Sequence, residues 1–258
     1  TTGKADTPAA DTLFQVRDAE KLSDEDKNEF HSTVASVLYM AKRARPDLLT
    51  AISFLTRRVI APDVDDQKKL DRTLKYLNAT KDYALVIRPA DGFHVHAWVD
   101  ASYAVHTDYK SHTGVAIGIG GGVTYAKSTV QKLNTKSSTE AEIVGVSDAS
   151  GHIIWTRDFL TFQGYDVGPA ILHQDNQSSM ALINKGYSTS DKSRHINIRY
   201  FFIKDRVDSG EVKVVYCPTE DMLADLLTKP LQGKLFFELR DRLLGRSTTH
   251  KGSLILLF

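Results

Sequence analysis

Hydrophobic residues recur every three or four positions between residues 30 and 80, which is the spacing of amphipathic helices. The pattern is interrupted at Pro46 and at Pro62, because a proline and the residue before it both disfavour helix. This part of the chain therefore predicts a small unit of three helices. Their apolar stripes are Val34, Val37, Leu38 and Ala41; Leu48, Ile52, Leu55 and Val59; and Leu70, Leu74 and Leu77.

Apolar and polar residues alternate strictly from residue 93 to residue 100, as in a half-buried strand. Two further segments, residues 113–119 and 123–130, predict strands that are joined by a hairpin at the glycines 120–122. A phosphate-binding loop is the alternative for these glycines, but the lysine and hydroxyl residue of a P-loop are missing and no helix follows. Residues 83–87 predict one more short strand, and residues 89–92 a turn.

Helices and strands alternate in the rest of the chain. A long helix is expected from Ser137 to about residue 162, since Ser137 and Glu140 fit a capping box and Gly164 fits a helix end. The remaining predicted elements are, in order, a strand at 171–175, helices near 180–183 and 196–207, a strand at 212–216, a helix from Pro218 through residue 227, and an amphipathic helix over 236–244.

The order of these elements predicts an α/β fold. Strands joined by a hairpin pair antiparallel and strands joined through a helix pair parallel, so we expect a mixed five-stranded sheet flanked by helices. The chain is divided into a flexible polar tail at residues 1–28, the helical unit at 29–90, the α/β domain at 91–232, and a C-terminal helix and tail at 233–258.

Composition narrows the class of protein without indicating its function. The 258 residues are 41% hydrophobic and 25% charged, as in ordinary globular proteins, and no apolar run is long enough to span a bilayer. Cys217 is the single cysteine, so no internal disulfide can form, and an intracellular location, cytoplasmic or nuclear, is expected. The net charge of +1 does not indicate nucleic-acid binding, and the basic clusters at residues 42–45, 57–58 and 192–195 are also consistent with a solvated surface.

Four acidic residues stand where they could converge. Asp100 and Asp175 each end a predicted strand, Glu142 lies in the first turns of the long helix, and Asp225 lies among apolar neighbours. Several carboxylates that converge from different elements are what Mg²⁺ requires for phosphodiester hydrolysis, with two ions roughly 3.5–4 Å apart. The order of strand, helix, strand end and helix is more specific than any single acid.

Other acids have structural explanations. Glu140 competes with Glu142 as a ligand, but the carboxylate of Glu140 is turned back to the helix start if it closes the capping box. Asp221 lies one predicted helical turn before Asp225, on the same side and near a helix start, where the helix dipole favours an acid. The acid pair at residues 65–66 precedes a predicted helix and lacks the apolar hairpin of a polymerase aspartate pair.

The segments that carry these acids resemble the ribonuclease H domain of copia-type (Pseudoviridae-like) retrotransposon polyproteins, over nearly all of residues 92–232. The similar segments are WVDASYA at 98–104, SSTEAE at 137–142, HQDNQS at 173–178, RHINIRYFFI at 194–203 and ADLLTKP at 224–230. Upstream, residues 30–39, 45–47 and 74–80 are similar to the end of the copia-type reverse transcriptase, its thumb and connection. The polymerase palm is missing from the similarity, so we do not expect the chain alone to polymerise.

The resemblance implies a ribonuclease H-like fold and an endonuclease that hydrolyses the RNA strand of RNA–DNA hybrids. It implies that Asp100, Glu142, Asp175 and Asp225 are catalytic and bind two Mg²⁺ ions, with Mn²⁺ as a substitute; we expect Asp100 and Asp175 to bridge the ions. The implied partners are an RNA–DNA hybrid and a reverse transcriptase polymerase region in cis or in trans, with no membrane. In an active element the expected location is a virus-like particle.

Substrate contacts are expected from five residues, which are Ser102, Lys136, Asn176, Gln177 and His195. An ordinary exposed lysine at residue 136 and a surface or helix-start histidine at residue 195 are the alternatives. The helical unit is expected to hold the hybrid through its basic residues. Many ribonucleases H carry a mobile histidine just before the last acid, but residues 216–220 contain none, so that role is not transferred.

A role without catalysis is the alternative function. A polyprotein fragment that kept its fold could serve as a structural or interaction module in a larger nucleoprotein assembly. A scaffold has no need of four converging carboxylates, so the intact set of acids favours the enzyme. The loss of one acid would have favoured the scaffold.

Overall fold

The computed structural model describes residues 3–89, 93–185 and 194–246, with only the backbone described at residues 194–197. Most of the turn predicted at residues 89–92 and the C-terminal tail from residue 247 lie outside the described residues. Within the described part of the chain, no helix has the length and apolarity needed to cross a membrane.

The N-terminal unit consists of three helices, as predicted: α1 (Asp24–Arg43), α2 (Leu49–Thr56) and α3 (Val64–Ala79). Ser23 begins α1, because its side chain accepts a hydrogen bond from the N–H of Asp26. Asp63 begins α3 by accepting from the N–H groups of Asp65 and Asp66, and the carboxylate of Asp66 accepts in return from the N–H of Asp63. The helix-start role predicted for the acids at 65 and 66 is thus confirmed.

The segment before α1 is not a free tail. Leu13 is buried in the same apolar cluster as α1 and α2, and the side chain of Thr73 on α3 donates a hydrogen bond to the carbonyl of Pro8. The N–H of Val64 donates to the carbonyl of Glu20, which joins this segment to the start of α3. The expectation of a flexible tail at residues 1–28 is therefore wrong for the described residues from Gly3 onward.

A mixed five-stranded sheet forms the centre of the molecule, as predicted. The strands in the described residues are β1 (Arg88–Pro89), β2 (His96–Ser102), β3 (His112–Gly118), β4 (Gly120–Gly121), β5 (Val123–Val130), β6 (Ala170–Gln174) and β7 (Val212–Tyr216). The central sheet has the order β5-β3-β2-β6-β7, with β5, β3 and β2 antiparallel and with β2, β6 and β7 parallel. The short strands β1 and β4 pair separately. Because β2 and β6 are parallel neighbours, their carboxyl ends lie at the same edge.

Two strand predictions need correction. Asp100 does not end its strand, because β2 continues to Ser102 and pairs Asp100 with Gly114 of β3. Residues 83–87 form no strand, and only Arg88 and Pro89 pair there. The hairpin predicted at the three glycines does connect the antiparallel strands β3 and β5.

Helices cover both faces of the sheet. The remaining helices are α4 (Ser138–Phe162), α5 (Gln177–Lys185), α6 (Arg194–Asp208) and α7 (Gly233–Leu243). One face of the sheet packs against α4, α5 and α6 through a buried cluster that includes Val99, Val115, Ile143 and Leu172. The opposite face packs against the helical unit and α7 through a second cluster, which includes Ala116.

The segment after Pro218 is not the α-helix that its apolar spacing predicts. It forms two short 3-10 helices, Thr219–Asp221 and Leu223–Leu227, separated by the extended backbone of Met222 with ψ 94°. Met222 and Leu227 are both fully buried. Core packing therefore overrides the local helical pattern here, and it changes which way the acids of this segment point.

Candidate metal centre

Three of the four predicted acids converge in the folded chain. One carboxylate oxygen from each of Asp100, Asp175 and Asp225 lies within 4.8 Å of the oxygens of the other two. Asp100 and Asp225 are buried, and Asp175 is half-buried. Three carboxylates at this spacing repel one another, so the fold maintains the arrangement against an electrostatic cost.

Neighbouring parallel strands bring Asp100 and Asp175 together. Asp100 lies near the carboxyl end of β2, and Asp175 directly follows β6, whose residues Ile171 to His173 pair with His96 to Trp98. The prediction that acids near the ends of adjacent strands meet is therefore confirmed in substance, although β2 runs two residues further than expected. This edge of the sheet is where parallel strands commonly build a ligand site.

A close approach to β3 places Asp225. A Cβ atom on Gly114 would lie 2.6 Å from the carbonyl oxygen of Ala224 and 2.8 Å from the Cβ of Leu227. The 3-10 helix that carries Asp225 thus rests directly on the glycine opposite Asp100 in the sheet. A residue with a side chain at position 114 would push this helix away from the strand.

Glu142 reaches the centre from α4. Ser137 begins the helix by accepting from the N–H of Glu140, and the carboxylate of Glu140 accepts from the N–H of Lys136 at 2.8 Å. The carboxylate of Glu140 is thus turned back to the helix start, as predicted, with Lys136 as its backbone partner. Glu142 is buried and points inward, where its Oε1 accepts from the N–H of Ala101 at 3.2 Å.

Gln174 was not predicted from the sequence, although it organises two of the acids. Its amide Nε2 donates to Glu142 Oε2 at 3.2 Å, and its Oε1 accepts from the N–H groups of Asp175 and Asn176. It is fully buried. The available signal was a polar residue at the carboxyl end of a predicted strand, directly before a candidate acid.

Lys229 and Thr228 were also missed. The ammonium of Lys229 lies 2.7 Å from Asp225 Oδ1 and 3.3 Å from Asp100 Oδ2. The hydroxyl of Thr228 donates a short hydrogen bond to the same Asp100 oxygen. Lys229 stands four residues after Asp225, and this spacing is the signal that could have revealed the pair.

Burial, followed by the charge of neighbouring carboxylates, raises the pKa values of Glu142, Asp175 and Asp225. Burial and the charge of Asp100 raise the pKa of Asp225 to about 7, even though Lys229 acts in the opposite direction. Burial and Asp100 also raise the pKa of Glu142 well above its usual range, and they raise that of Asp175. Burial lowers the pKa of Lys229, but Asp100 and Asp225 outweigh this effect and raise it to about 12.

The donor set fits hard divalent cations. Mg²⁺ and Mn²⁺ prefer carboxylate oxygens, and the separations of up to 4.8 Å allow one ion to contact oxygens of two acids. An ammonium group already lies between Asp100 and Asp225, which shows that a cation is accommodated there. Divalent metal ions therefore suit the site that is formed by Asp100, Asp175 and Asp225, with Glu142 beside them.

The predicted substrate residues lie around this centre in different settings. Ser102 is largely buried, and its hydroxyl donates to the carbonyl of Thr228 at 3.4 Å. Asn176 accepts from the N–H of Ser179 at the start of α5, so it has a structural role there. Lys136 and Gln177 are exposed. The side chain of His195 lies outside the described residues, and the substrate role of all five residues stays a prediction.

Several basic residues of the helical unit are committed to internal ion pairs. Arg45 is buried and pairs with Asp47 at 2.7 Å, and Arg58 pairs with Asp66 at 3.0 Å. Arg57 pairs with Asp108 at 2.9 Å. Arg45 and Arg58 are engaged within the fold and Arg57 in a surface pair, so the expectation that the basic residues of the helical unit bind phosphates is not supported for these three.

Asp221 does not share a side with Asp225, contrary to the prediction from helical spacing. It pairs with Arg242 of α7 at 2.7 Å, and its side chain is more than half exposed. Asp225, by contrast, is buried among Leu223, Ala224 and Leu226. The break at Met222 causes this difference, since the two residues lie in separate 3-10 helices.

Proteins similar to this chain are retrotransposon polyproteins. This chain is 34% identical over 213 residues to the retrovirus-related Pol polyprotein from transposon RE2 of Arabidopsis thaliana. The aligned region covers 82% of this chain and 14% of that protein. The chain is 30% identical over 220 residues to the Pol polyprotein from transposon TNT 1-94 of Nicotiana tabacum, in an alignment that covers 85% of this chain and 16% of that protein. The chain therefore spans only a small part of the length of these relatives.

No protein-family model matches the chain. Among solved structures, LC11-RNase H1, isolated from compost, aligns with 52% of this chain and 92% of its own chain, at a TM-score of 0.40 and 17% identity. This TM-score is too low to add to the sequence relationship. The resemblance indicated by the sequence motifs is confirmed by the sequence relatives: this chain is homologous to one segment of the Pol polyproteins of copia-type retrotransposons.

Proposed function

We propose that this chain is a metal-dependent endonuclease of the ribonuclease H type, which hydrolyses the RNA strand of RNA–DNA hybrids. The observation that carries the proposal is the convergence of Asp100, Asp175 and Asp225 within 4.8 Å, with Glu142 held beside them. Buried carboxylates that separate elements bring this close repel one another, and bound cations would offset that repulsion. The homology to retrotransposon Pol polyproteins supports a role in processing a hybrid.

The four acids have one task in this proposal, which is to hold two divalent ions. When bound, Mg²⁺ ions supply an activated water and stabilise the charge that develops on the leaving oxygen. Asp100, Asp175 and Asp225 would hold the ions, and Glu142 would support them from α4. Gln174 orients Glu142 and the turn of Asp175, because its amide group contacts both.

Recognition of the hybrid belongs to the surface around the centre. Ser102, Lys136, Asn176, Gln177 and His195 are proposed to contact the nucleic acid near the scissile phosphate. The 2′-hydroxyl of the RNA strand distinguishes it from DNA. A polymerase region of a reverse transcriptase, in cis or in trans, is the proposed partner that produces the hybrid.

Two neighbouring glutamates of α4 provide a sharp test. The Glu142→Gln variant should cleave the hybrid more than about 100-fold more slowly than the wild type. Removing a residue that only orients a metal ligand costs at most about 100-fold, so a larger loss indicates that Glu142 is itself a ligand. Glu140→Gln is the matched control, since Glu140 caps the helix through the N–H of Lys136 and should leave the rate nearly unchanged. Cleavage of end-labelled RNA–DNA hybrid, with Mg²⁺ and with EDTA, measures both.

The proposal fails if the folded wild-type chain leaves the hybrid intact with Mg²⁺. Cleavage that Glu142→Gln leaves unaffected would contradict the role proposed for Glu142 in holding the metal ions. Circular dichroism of both variants establishes that any loss of cleavage is not a loss of fold.

A further inference from the structure

The ammonium group of Lys229 occupies a position between two carboxylates of the metal centre. It lies 2.7 Å from Asp225 Oδ1 and 3.3 Å from Asp100 Oδ2. The carboxylates are almost completely buried, with 2% and 4% of their side-chain surface exposed, whereas the side chain of Lys229 is 38% exposed. The cation therefore reaches inward from the surface and ends at the buried oxygens.

The buried acids need a compensating positive charge. Ionised carboxylates in a protein interior are tolerated only when an opposite charge or a metal ion balances them. Lys229 supplies that charge to Asp100 and Asp225 simultaneously. Thr228 contributes a hydrogen bond to the Asp100 oxygen that Lys229 contacts, but it carries no charge.

A divalent ion at this centre would be held by the same two carboxylates. Asp100 and Asp225 belong to the three acids whose oxygens converge, and Lys229 contacts an oxygen of each. An ammonium and a metal ion repel each other and cannot both occupy the space between the two carboxylates. One cation must leave when the other binds.

The side chain of Lys229 can move away from the two carboxylates without a change in the backbone. The N–H of Lys229 donates to the carbonyl of Asp225 at 2.8 Å, which fixes the main chain of this segment. The side chain is a flexible stem whose ammonium group is well hydrated in water, and it is already partly exposed. The ammonium can therefore move into solvent while Asp225 keeps its place.

We propose that Lys229 is an exchangeable internal cation, which occupies the position between Asp100 and Asp225 in the metal-free protein and is displaced when a divalent ion binds. The proposal rests on the metal-dependent function proposed above and adds its regulation. Lys229 stabilises the metal-free fold, and by the same contacts it weakens the affinity for metal, so that the chain folds without metal and binds it reversibly.

Calorimetric titration of the full chain with Mg²⁺ tests this exchange. Lys229→Gln removes the competing charge and should bind Mg²⁺ at least about tenfold more tightly than the wild type. In EDTA the same variant should unfold at a lower temperature, because Asp100 and Asp225 lose their counter-charge. Lys229→Arg keeps the charge and should stay close to the wild type in both measurements.

Lys234→Gln is the control for loss of a surface charge, since its side chain is 87% exposed and pairs only with Glu238 at 3.6 Å among the described residues. It should change neither the affinity nor the unfolding temperature. Exchange is overturned if Lys229→Gln binds Mg²⁺ equally or more weakly than the wild type, because Lys229 would then be structural or would assist binding. If neither protein binds Mg²⁺, the proposed function itself fails, and the exchange fails with it.

Discussion

Each acid of the centre has different partners at the scale of single residues. Glu142 accepts from two neutral amide donors, one of them on Gln174. Asp100 and Asp225 share the ammonium of Lys229. Charged and neutral partners stabilise a carboxylate to different extents, so the acids of the centre stand in different electrostatic surroundings.

The stability of the metal-free protein should depend on pH through Asp225. Its pKa is raised by burial and by Asp100 from the ordinary 3.8 to about 7. Between pH 3.8 and about pH 7 the folded protein therefore binds a proton that the unfolded chain does not bind. The stability that this proton provides is lost as the pH rises through about 7. In EDTA, the free energy of unfolding should fall between about pH 5 and about pH 8 in the wild type, and this fall should exceed that of Asp225→Asn by roughly 2 kcal/mol.

Urea unfolding at both pH values measures this difference. Asp225→Asn cannot ionise, so the pH dependence should be reduced, although Glu142 and Asp175 retain shifts of the same sign. Equal pH dependence of the variant and the wild type would show that Asp225 is not protonated on folding.

The acids proposed as ligands could be singled out from the sequence, but the side chains that contact them could not. Asp175 and Glu142 stand out by their positions next to a strand end and a helix start. Thr228 is 128 residues from Asp100 in the sequence, and nothing local indicates that their side chains touch. Such contacts are created by the packing of distant segments, which a periodic pattern does not encode.

At the scale of secondary-structure elements, the 3-10 helix Leu223–Leu227 positions the last acid and its cation. It packs on β3 at Gly114 and continues through Thr228 to Lys229. The hydroxyl of Thr50 on α2 donates to the carbonyl of Leu226 at 2.6 Å, which ties the helix to the helical unit. A shift of this helix would move Asp225 and Lys229 together.

Gly114→Ala should therefore disturb both the fold and the centre. The added Cβ would lie 2.6 Å from the carbonyl oxygen of Ala224, and neither backbone can yield easily. We expect a loss of about 1–3 kcal/mol of unfolding free energy, typical of overpacking, together with weaker binding of Mg²⁺. Chemical denaturation and calorimetry measure the two effects.

Gly151→Ala is the matched control for this substitution. Gly151 lies inside α4, and an added Cβ there would meet no atom within 4 Å. Alanine favours helix over glycine, so this variant should gain about 0.5–1 kcal/mol of stability. Destabilisation by Gly151→Ala, or none by Gly114→Ala, would contradict the packing described for these two positions.

Elements with clear local signals could be predicted from the sequence, and the segment after Pro218 could not. The strands β6 and β7 follow the predicted bounds closely, and so does α4, whose start and end are indicated by the cap at Ser137 and by Gly164. The segment at 219–227 also has helical apolar spacing, but Met222 and Leu227 are buried in different surroundings. Its final backbone depends on these tertiary contacts.

At the scale of the whole molecule, the helical unit and the sheet share one apolar core. Ile52 of α2, Ala116 of β3 and Leu239 of α7 belong to the same buried cluster. The ring of Phe14 contacts the rings of both His106 and His112, which joins the N-terminal segment to the sheet. The boundary expected near residue 90 therefore does not separate two independent cores.

Ile52→Ala should destabilise the whole chain and not only the helical unit. Ile52 is fully buried, so we expect a loss of about 2–5 kcal/mol. Both tryptophans, Trp98 and Trp155, lie outside the helical unit, on β2 and α4. The unfolding midpoint measured by tryptophan fluorescence should nevertheless fall in Ile52→Ala, together with the midpoint measured by circular dichroism of the helices.

Separate midpoints for the two signals would contradict a shared core. So would a tryptophan transition that Ile52→Ala leaves at its wild-type position. Alternating and helical periods predicted the mixed sheet and the three helices, but they could not show that these units pack together, since periodicity reports only that a face is buried and not against what.

If the carboxylates at this sheet edge hold metal for the cleavage of RNA in a hybrid, the two strands of the hybrid must differ in their fate. An RNA–DNA hybrid with each strand labelled separately is incubated with Mg²⁺ and either the wild type or Asp175→Asn. We predict that the wild type cuts only the RNA strand and that the folded variant cuts neither. Cleavage of both strands, equal cleavage by the variant, or no cleavage by a folded wild type would contradict the claim.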